Sequence, residues 1–311
     1  MGALDLPSEP EEPDRADHVR DRGADQPKAR DVPGPDERGR AYEATRAHVS
    51  AEAGEEARPV RPAEGSYWPE VPGFLDQAAD HRKRGSADRQ PAPDRSADPP
   101  GSFRSYGGSY LNPERHTEAV TTLDRVREAE PAISADMRTV EQENRHGGWL
   151  EGFEHRVKGD DRLKEKVAEQ LKAEPRMTAG EVLSEVPDAI RYTFCLEPGR
   201  YATGYYGIVE QLANRGYEMY LSKNSWTDPE YKGINTRWVT PDGQRFEVQF
   251  HTPESFHAKH YVTHDAYERI RNPMIPDRER RELKDFQREV SSAIQVPAGA
   301  AELPDYKKKG F

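Results

Sequence analysis

The sequence predicts an α+β domain, a mixed sheet of about five strands flanked by helices, behind a long disordered N-terminal region. Three observations predict it. Of 311 residues, 33% are hydrophobic and 33% charged, and 14 of 26 prolines but only 4 of 27 aromatics fall in the first hundred. Such a leader cannot bury enough apolar surface to offset an ordering cost of roughly 1–2 kcal/mol per residue. Beyond about residue 113, helical and strand periodicities alternate. Finally, Pro241-Asp242-Gly243 joins two alternating segments, a strong hairpin signal.

Taken in order, residues 1–108 are read as a disordered Pro/Asp/Arg-rich leader, 109–298 as the folded domain and 299–311 as a flexible basic tail. Asn112-Pro113-Glu114 reads as an N-cap with proline at the first helical position. Two helices follow, Pro113 to Glu128 and Pro131 to Arg145, with Val120, Leu123 and Val126 on one face of the first. Gly147-Gly148 breaks the second helix, and Trp149 to Val157 suits a strand. Asp160 to Leu171 repeats Leu163, Val167 and Leu171 at helical spacing. Ala189 to Leu196 reads as a buried strand, and Tyr205 to Arg215 as a helix closed by Gly216. Tyr217 to Ser222, Ile234 to Thr240 and Arg245 to Phe250 read as strands, Pro253 to Ile270 and Asp277 to Ile294 as helices. In the third of these strands, the period of two puts Phe246, Val248 and Phe250 on one face and Glu247, Gln249 and His251 on the other.

Composition excludes several classes. No apolar run approaches the roughly 20 residues of a membrane span, and the amino terminus lacks the basic start and apolar core of a secretory signal. The expected location is the cytoplasm, or delivery as an effector without a Sec signal, and no membrane partner is expected. One cysteine, Cys195, allows neither an internal disulfide nor a thiolate zinc site. The four histidines 251, 257, 260 and 264 lack an HExxH pattern and a cysteine partner.

Three groups of residues could carry chemistry. Glu247 and Gln249 project from the polar face of a strand, where a carboxylate can hold a hard divalent cation. Asp188, at the mouth of the Ala189 strand, is the second carboxylate, and two such groups suit Mg²⁺ bound to nucleotide phosphates. Singly, each also reads as a solvated strand residue or a strand-start cap. Arg156 and Lys158 share one face of the segment before the helix, and Arg162 and Lys166 one face of the helix itself. They could converge on a polyphosphate or form an ordinary solvated surface paired to Asp160, Asp161, Glu165 and Glu169. Tyr231-Lys232-Gly233-Ile234-Asn235 sits at a loop-to-strand junction, where an aromatic ring could stack on a base and glycine would permit close backbone approach.

The order of these pieces raises their meaning. Arg156-Val157-Lys158, Arg162 and Lys166, Asp188, Tyr231 to Asn235, Pro241-Asp242-Gly243, Glu247-Val248-Gln249-Phe250-His251-Thr252 and a His-rich helix ending His264-Asp265-Ala266-Tyr267 together resemble the synthetase domain of the RelA/SpoT alarmone synthetases, over residues 113 to 295. The resemblance implies a nucleotidyltransferase-like fold and an ATP-dependent pyrophosphokinase that moves pyrophosphate from ATP to the 3′-hydroxyl of an acceptor, with Mg²⁺. By that likeness Arg156, Lys158, Arg162 and Lys166 contact ATP. Asp188 and Glu247 serve the metal and the attacking hydroxyl. Tyr231, Lys232, Asn235, Gln249 and His251 face the acceptor. The pattern departs from the family at several positions. Gly233 and Asn235 replace a serine and a histidine, His251 replaces an arginine, Arg162 replaces a serine, and Lys259-His260 stands where Ala-Glu is common. The acceptor is therefore left as GDP or GTP, an adenine nucleotide, or the 3′ end of an RNA. A compact candidate catalytic domain behind a long leader is read as a toxin-type layout with a neutralising antitoxin as partner. Two other readings are a catalytically inactive nucleotide- or RNA-binding module of the same fold and an enzyme of different chemistry, such as a nuclease-like or ADP-ribosyl-transferring toxin.

Overall fold

The computed structural model describes residues 74, 76–79, 96–105, 108–272 and 275–310, all within one compact unit, Gly54–Phe311. Most of the leader expected over 1–108 lies outside the described residues. Where described, it contributes to the domain: Phe74 and Ala78 are buried, and the Phe74 ring meets Phe286 edge-on at 6.4 Å. Phe103–Arg104 (β1) pairs with Tyr110–Leu111 (β2), so Phe103 enters the core ahead of the boundary expected at 109.

Helix α1 runs unbroken from Pro113 to Glu143, which corrects the expected pair of helices. It starts as predicted: the Asn112 side chain accepts from the Arg115 N–H at 2.9 Å, and Pro113 occupies the first position. Pro131 removes one backbone bond yet does not end the helix. It lies on the exposed face, where water can satisfy the freed carbonyl, while Val126, Glu130, Ile133 and Ser134 anchor both flanks. The buried stripe runs through Ala119 and Leu123, leaving Val120 at the surface.

The expected strand Trp149–Val157 is also corrected. Only Trp149–Leu150 (β3) pairs; Gly152, with φ of +61°, turns the chain into a 3₁₀ turn over Phe153–His155, and Val157 keeps a single bridge to Ile190. Helix α2 follows at Asp160–Ala173, then α3 at Ala179–Glu185, which periodicity missed. Its signal was present as a capping box: Thr178 accepts from the Glu181 N–H, and the Glu181 carboxylate accepts from the Thr178 N–H.

The remaining elements are β4 (Arg191–Cys195), α4 (Tyr201–Asn214), β5 (Glu218–Asn224), β6 (Ile234–Val239) and β7 (Arg245–His251). After them come α5 (Pro253–His257), a π-helical turn (Ala258–Val262), α6 (His264–Ile270), α7 (Asp277–Ser292) and β8 (Tyr306–Lys307). Strand β8 corrects the expected free tail, because it pairs with β5. The sheet has six strands in the order β3-β4-β7-β6-β5-β8, with β4 and β7 parallel and the other neighbours antiparallel.

Register assigns the faces. On one, Tyr192 and Phe194 stand beside Val248 and Phe250, with Thr236 and Trp238 across from Val248 and Phe246. Helix α4 covers this side, its Tyr205 ring meeting Phe250 at 4.9 Å, and Ser134 of α1 bonds the Tyr192 hydroxyl at 2.9 Å. On the other face, β4, β7 and β6 present three rows: Arg191, Glu247 and Arg237; Thr193, Gln249 and Asn235; and Cys195 beside His251. The predicted alternation of β7 is therefore the observed one. Its polar side is not open to water, since Glu247, Gln249 and His251 are all buried beneath α5 and the π turn.

Candidate active site

The site forms where β4 and β7 begin. The two strands are parallel, and the Glu247 N–H donates to the Ile190 carbonyl at 2.9 Å. Asp188, three residues ahead of β4 in a 3₁₀ turn, thus reaches the same end of the sheet as Glu247. A cavity of about 250 Å³ opens there, lined by Glu154, His155 and Val157 to Gly159 together with Asp188 and Arg191.

Asp188 is its anionic centre. One carboxylate oxygen accepts from Lys158 and the other from Lys166, the latter at 2.6 Å. Burial alone would raise this carboxyl; the two ammonium groups overcome it and hold it at about 2. For Lys158 the balance tips the other way. Burial outweighs Asp188 and, helped by the neighbouring Lys166 charge, leaves the amine below the usual lysine value. Three residues predicted as site members are thus brought together by side chains 22 and 30 residues apart.

Arg191 follows Asp188 by three residues, where the resemblance implies an arginine after about five. It lines the cavity in the cross-strand row of Glu247, and neither its guanidinium nor that of Arg237 on the other side of Glu247 has an ion-pair or hydrogen-bond partner among the described residues. Glu247 therefore sits between two arginines in adjacent strands, where facing side chains are about 5 Å apart at Cβ.

Glu247 is held by a relay. The Lys259 ammonium donates to Gln249 Oε1, and Gln249 Nε2 donates to Glu247 Oε1. Its polarity is fixed by chemistry: an ammonium only donates and a carboxylate only accepts, so the amide between them has one satisfactory orientation. Glu247 Oε2 takes no hydrogen bond among the described residues. Lys259 comes from the π turn, closed by the Thr263 N–H on the Ala258 carbonyl at 2.8 Å, and a π turn re-aims side chains relative to a regular helix. Burial, reinforced by Arg191, brings this lysine down to about 7, although Glu247 opposes the shift.

Other predicted site residues have different employment. Arg156 donates to Glu130 at 2.5 Å and to Ser134 at 3.1 Å, and its guanidinium lies 4.5 Å over the Phe153 ring. Arg162 is largely exposed and pairs with Glu268 at 3.0 Å and Glu165 at 3.4 Å. Lys232 caps its own loop by donating to the carbonyls of Trp226 at 3.1 Å and Asp228 at 2.6 Å.

Tyr231, Asn235 and His251 form one interlocked group. The Tyr231 hydroxyl donates to Asn235 Oδ1 at 2.9 Å and lies 3.0 Å from His251 Nε2, while His251 Nδ1 lies 2.9 Å from the Ser255 hydroxyl. Burial pushes the Tyr231 phenol up, and it pushes the His251 imidazole well down, helped by the charges of Lys259 and Arg191. Gly233 completes the lock: at φ of +150° it sits against the imidazole, and a Cβ there would lie 2.8 Å from His251 Cε1. Gly233, Asn235 and His251 thus belong to one packing solution.

No protein-family model matches the chain, and no curated protein matches it. Solved structures do. The type VI effector Tas1, determined in complex with its immunity protein, shares 18% identity at a TM-score of 0.40, covering 57% of this chain and 95% of that one. Small alarmone synthetase 1 from Bacillus subtilis, bound to its product pppGpp, shares 12% at 0.36, covering 55% and 88%. A GTP pyrophosphokinase family protein from Streptococcus pneumoniae shares 14% at 0.33, covering 55% and 85%. At these identities and scores, the likenesses assign no role to a residue of this chain.

Proposed function

We propose that this cleft binds a nucleoside triphosphate and transfers its terminal pyrophosphate to an acceptor hydroxyl, an ATP-dependent pyrophosphokinase reaction. The observation that carries the reading is the convergence of two lysines on one carboxylate at the mouth of a cavity that Arg191 also lines. In a chain of net charge −11, Lys158 and Arg191 line the cavity together with Asp188 and the exposed Glu154, and Lys166 adds a second ammonium on Asp188. Such a cluster neutralises a polyphosphate, with a guanidinium for bidentate contact and ammonium groups as point charges. Lys158 and Lys166 would exchange part of Asp188 for phosphate oxygens.

The chemistry asks for positioning and charge neutralisation more than for a covalent nucleophile. The acceptor 3′ oxygen attacks the β-phosphorus, the bond from that phosphorus to the α–β bridging oxygen breaks, and AMP leaves with the bridging oxygen. The hydroxyl proton passes to Glu247, whose Oε2 is free while Oε1 is fixed by Gln249. The donor chemistry also fits Mg²⁺, since Glu247 offers an uncommitted oxygen and Asp188 a carboxylate whose present partners are ammonium groups. Asp188 and Glu247 would hold the ion, which would supply charge neutralisation on the transferred group.

The acceptor, GDP or GTP, an adenine nucleotide or an RNA 3′ end, would approach past Gln249 and the Tyr231–Asn235–His251 group. The long leader ahead of a compact catalytic unit supports a delivered toxin with a neutralising partner. Among the described residues no helix is long and apolar enough to cross a membrane. The engagement of the Tyr231 hydroxyl favours, as a second reading, nucleotide binding without transfer. Incubation of the full-length protein with ATP, Mg²⁺ and a panel of acceptors decides between them. AMP release that Glu247→Gln abolishes supports transfer, ATP binding without AMP supports the second reading, and neither binding nor AMP overturns both.

A further inference from the structure

The cavity is too small for the whole ligand that its charges fit. At about 250 Å³ it falls below the roughly 300–1,000 Å³ of pockets that enclose a drug-sized molecule. Its charged lining suits the phosphates, which leaves the base to the rim.

One rim residue belongs to a ladder of rings. Phe256 and His260 stack with centroids 5.2 Å apart and planes 10° apart, and His260 and His155 continue the stack at 5.4 Å and 29°. These spacings and small angles are those of offset-stacked rings rather than edge contacts. The foot of the ladder is fixed, since Phe256 is buried with Trp149 and Cys195. Tyr261 braces the middle edge-on, its ring 4.6 Å from His260 at 82°. Burial and the nearby His155 and Lys259 hold His260 down at about 4, so the middle rung is uncharged at neutral pH. The top rung, His155, lines the cavity beside Lys158, and 57% of its side chain is exposed. Arg156, which the sequence had offered as a nucleotide contact, is occupied by Glu130 and Phe153.

We infer that the Phe256–His260–His155 ladder is a stacking platform for the base of the nucleotide whose phosphates occupy the adjacent cavity, with His155 as the ring that meets it. This rests on the nucleotide reading above and adds where the base lies. A flat base extends the stack by one more ring without requiring a hydrogen-bond code, so the platform serves a purine of either kind.

Titration calorimetry of the full-length protein with ATP and, separately, with inorganic tripolyphosphate tests it. His155→Ala is expected to weaken ATP binding by about ten- to a hundredfold, the range of one lost base–aromatic stack, and to leave tripolyphosphate binding unchanged. His155→Phe is expected to restore ATP affinity, since it keeps the ring and removes the ring nitrogens. Unchanged ATP affinity in His155→Ala overturns the platform, and so does an equal loss for both ligands, which would make His155 a phosphate contact. Failure of the native protein to bind either ligand would instead remove the nucleotide reading itself.

Discussion

Lys259→Met should make the protein more stable and less active, with a stability gain that shrinks as pH rises. Lys259 is held at about 7 against an ordinary 10.5. At roughly 1.4 kcal/mol per pH unit, that displacement corresponds to about 5 kcal/mol of cost for keeping the ammonium charged in the folded state. Part of the side chain remains in contact with water, so this is an upper bound. The sign follows from proton counting. Between about 7 and 10.5 the unfolded chain binds the proton and the folded one does not, so stability rises with pH across that window. Below 7 the cost is fully present. Methionine keeps the length and removes the charge, but it leaves Gln249 Oε1 without its donor, a loss of about 1–3 kcal/mol. The net expectation at pH 6 is a gain of ~2–4 kcal/mol, falling toward zero or below by pH 10. Urea unfolding at pH 6 and pH 10 measures it. The activity half of the prediction is a fall in the maximal rate with little change in ATP binding, because Gln249 loses its preferred orientation toward Glu247. A variant less stable at both pH values, or one equally active, refutes the relay.

Other perturbations have equally defined outcomes. The Asp188 carboxyl, held at about 2 against an ordinary 3.8, contributes about 2 kcal/mol that is complete above pH 4 and lost as pH falls toward 2; Asp188→Asn should remove that acid-sensitive component, seen as a flatter stability profile between pH 4 and 2. Pro131→Ala should stabilise the protein by about 1–3 kcal/mol, seen as a higher urea midpoint, because alanine restores a backbone donor in the middle of α1; an unchanged midpoint would mean the helix is already relaxed around the proline. Gly233→Ser should destabilise by about 1–3 kcal/mol, since its Cβ meets His251 at a backbone angle that side chains rarely adopt; a neutral effect in thermal unfolding would show that the Tyr231–Asn235–His251 group is not locked.

Much of this site was legible from one dimension because its logic is local. The period of two in Arg245–His251 places Glu247 and Gln249 together without reference to the rest of the chain. The same holds for Arg162 and Lys166 on one helix face, although only Lys166 reaches Asp188. The pairing of Arg156 was not legible, because its partner, Glu130, lies 26 residues earlier and is itself buried. Periodicity carries no information on such a pairing. Lys259 could not be placed from sequence, because a regular helix through Pro253–Ile270 would aim it elsewhere and only the π turn brings it over Gln249. The ring ladder joins a 3₁₀ turn to α5 and the π turn across a hundred residues, again a long-range fact. Pro131 misled in the opposite direction, since a breaker on an exposed face is tolerated when both flanks are packed. Helix α3 was readable through its capping box.

The central claim is that two phosphoryl groups leave ATP together. Full-length protein incubated with Mg²⁺, an acceptor panel and ATP labelled separately at the β and γ phosphorus tests it most directly. The account predicts that both labels appear in the same acceptor product, that unlabelled AMP accumulates in equal amount, and that Glu247→Gln prevents both. Transfer of the γ label alone with ADP left behind, or both labels remaining on ATP with every acceptor, would contradict it.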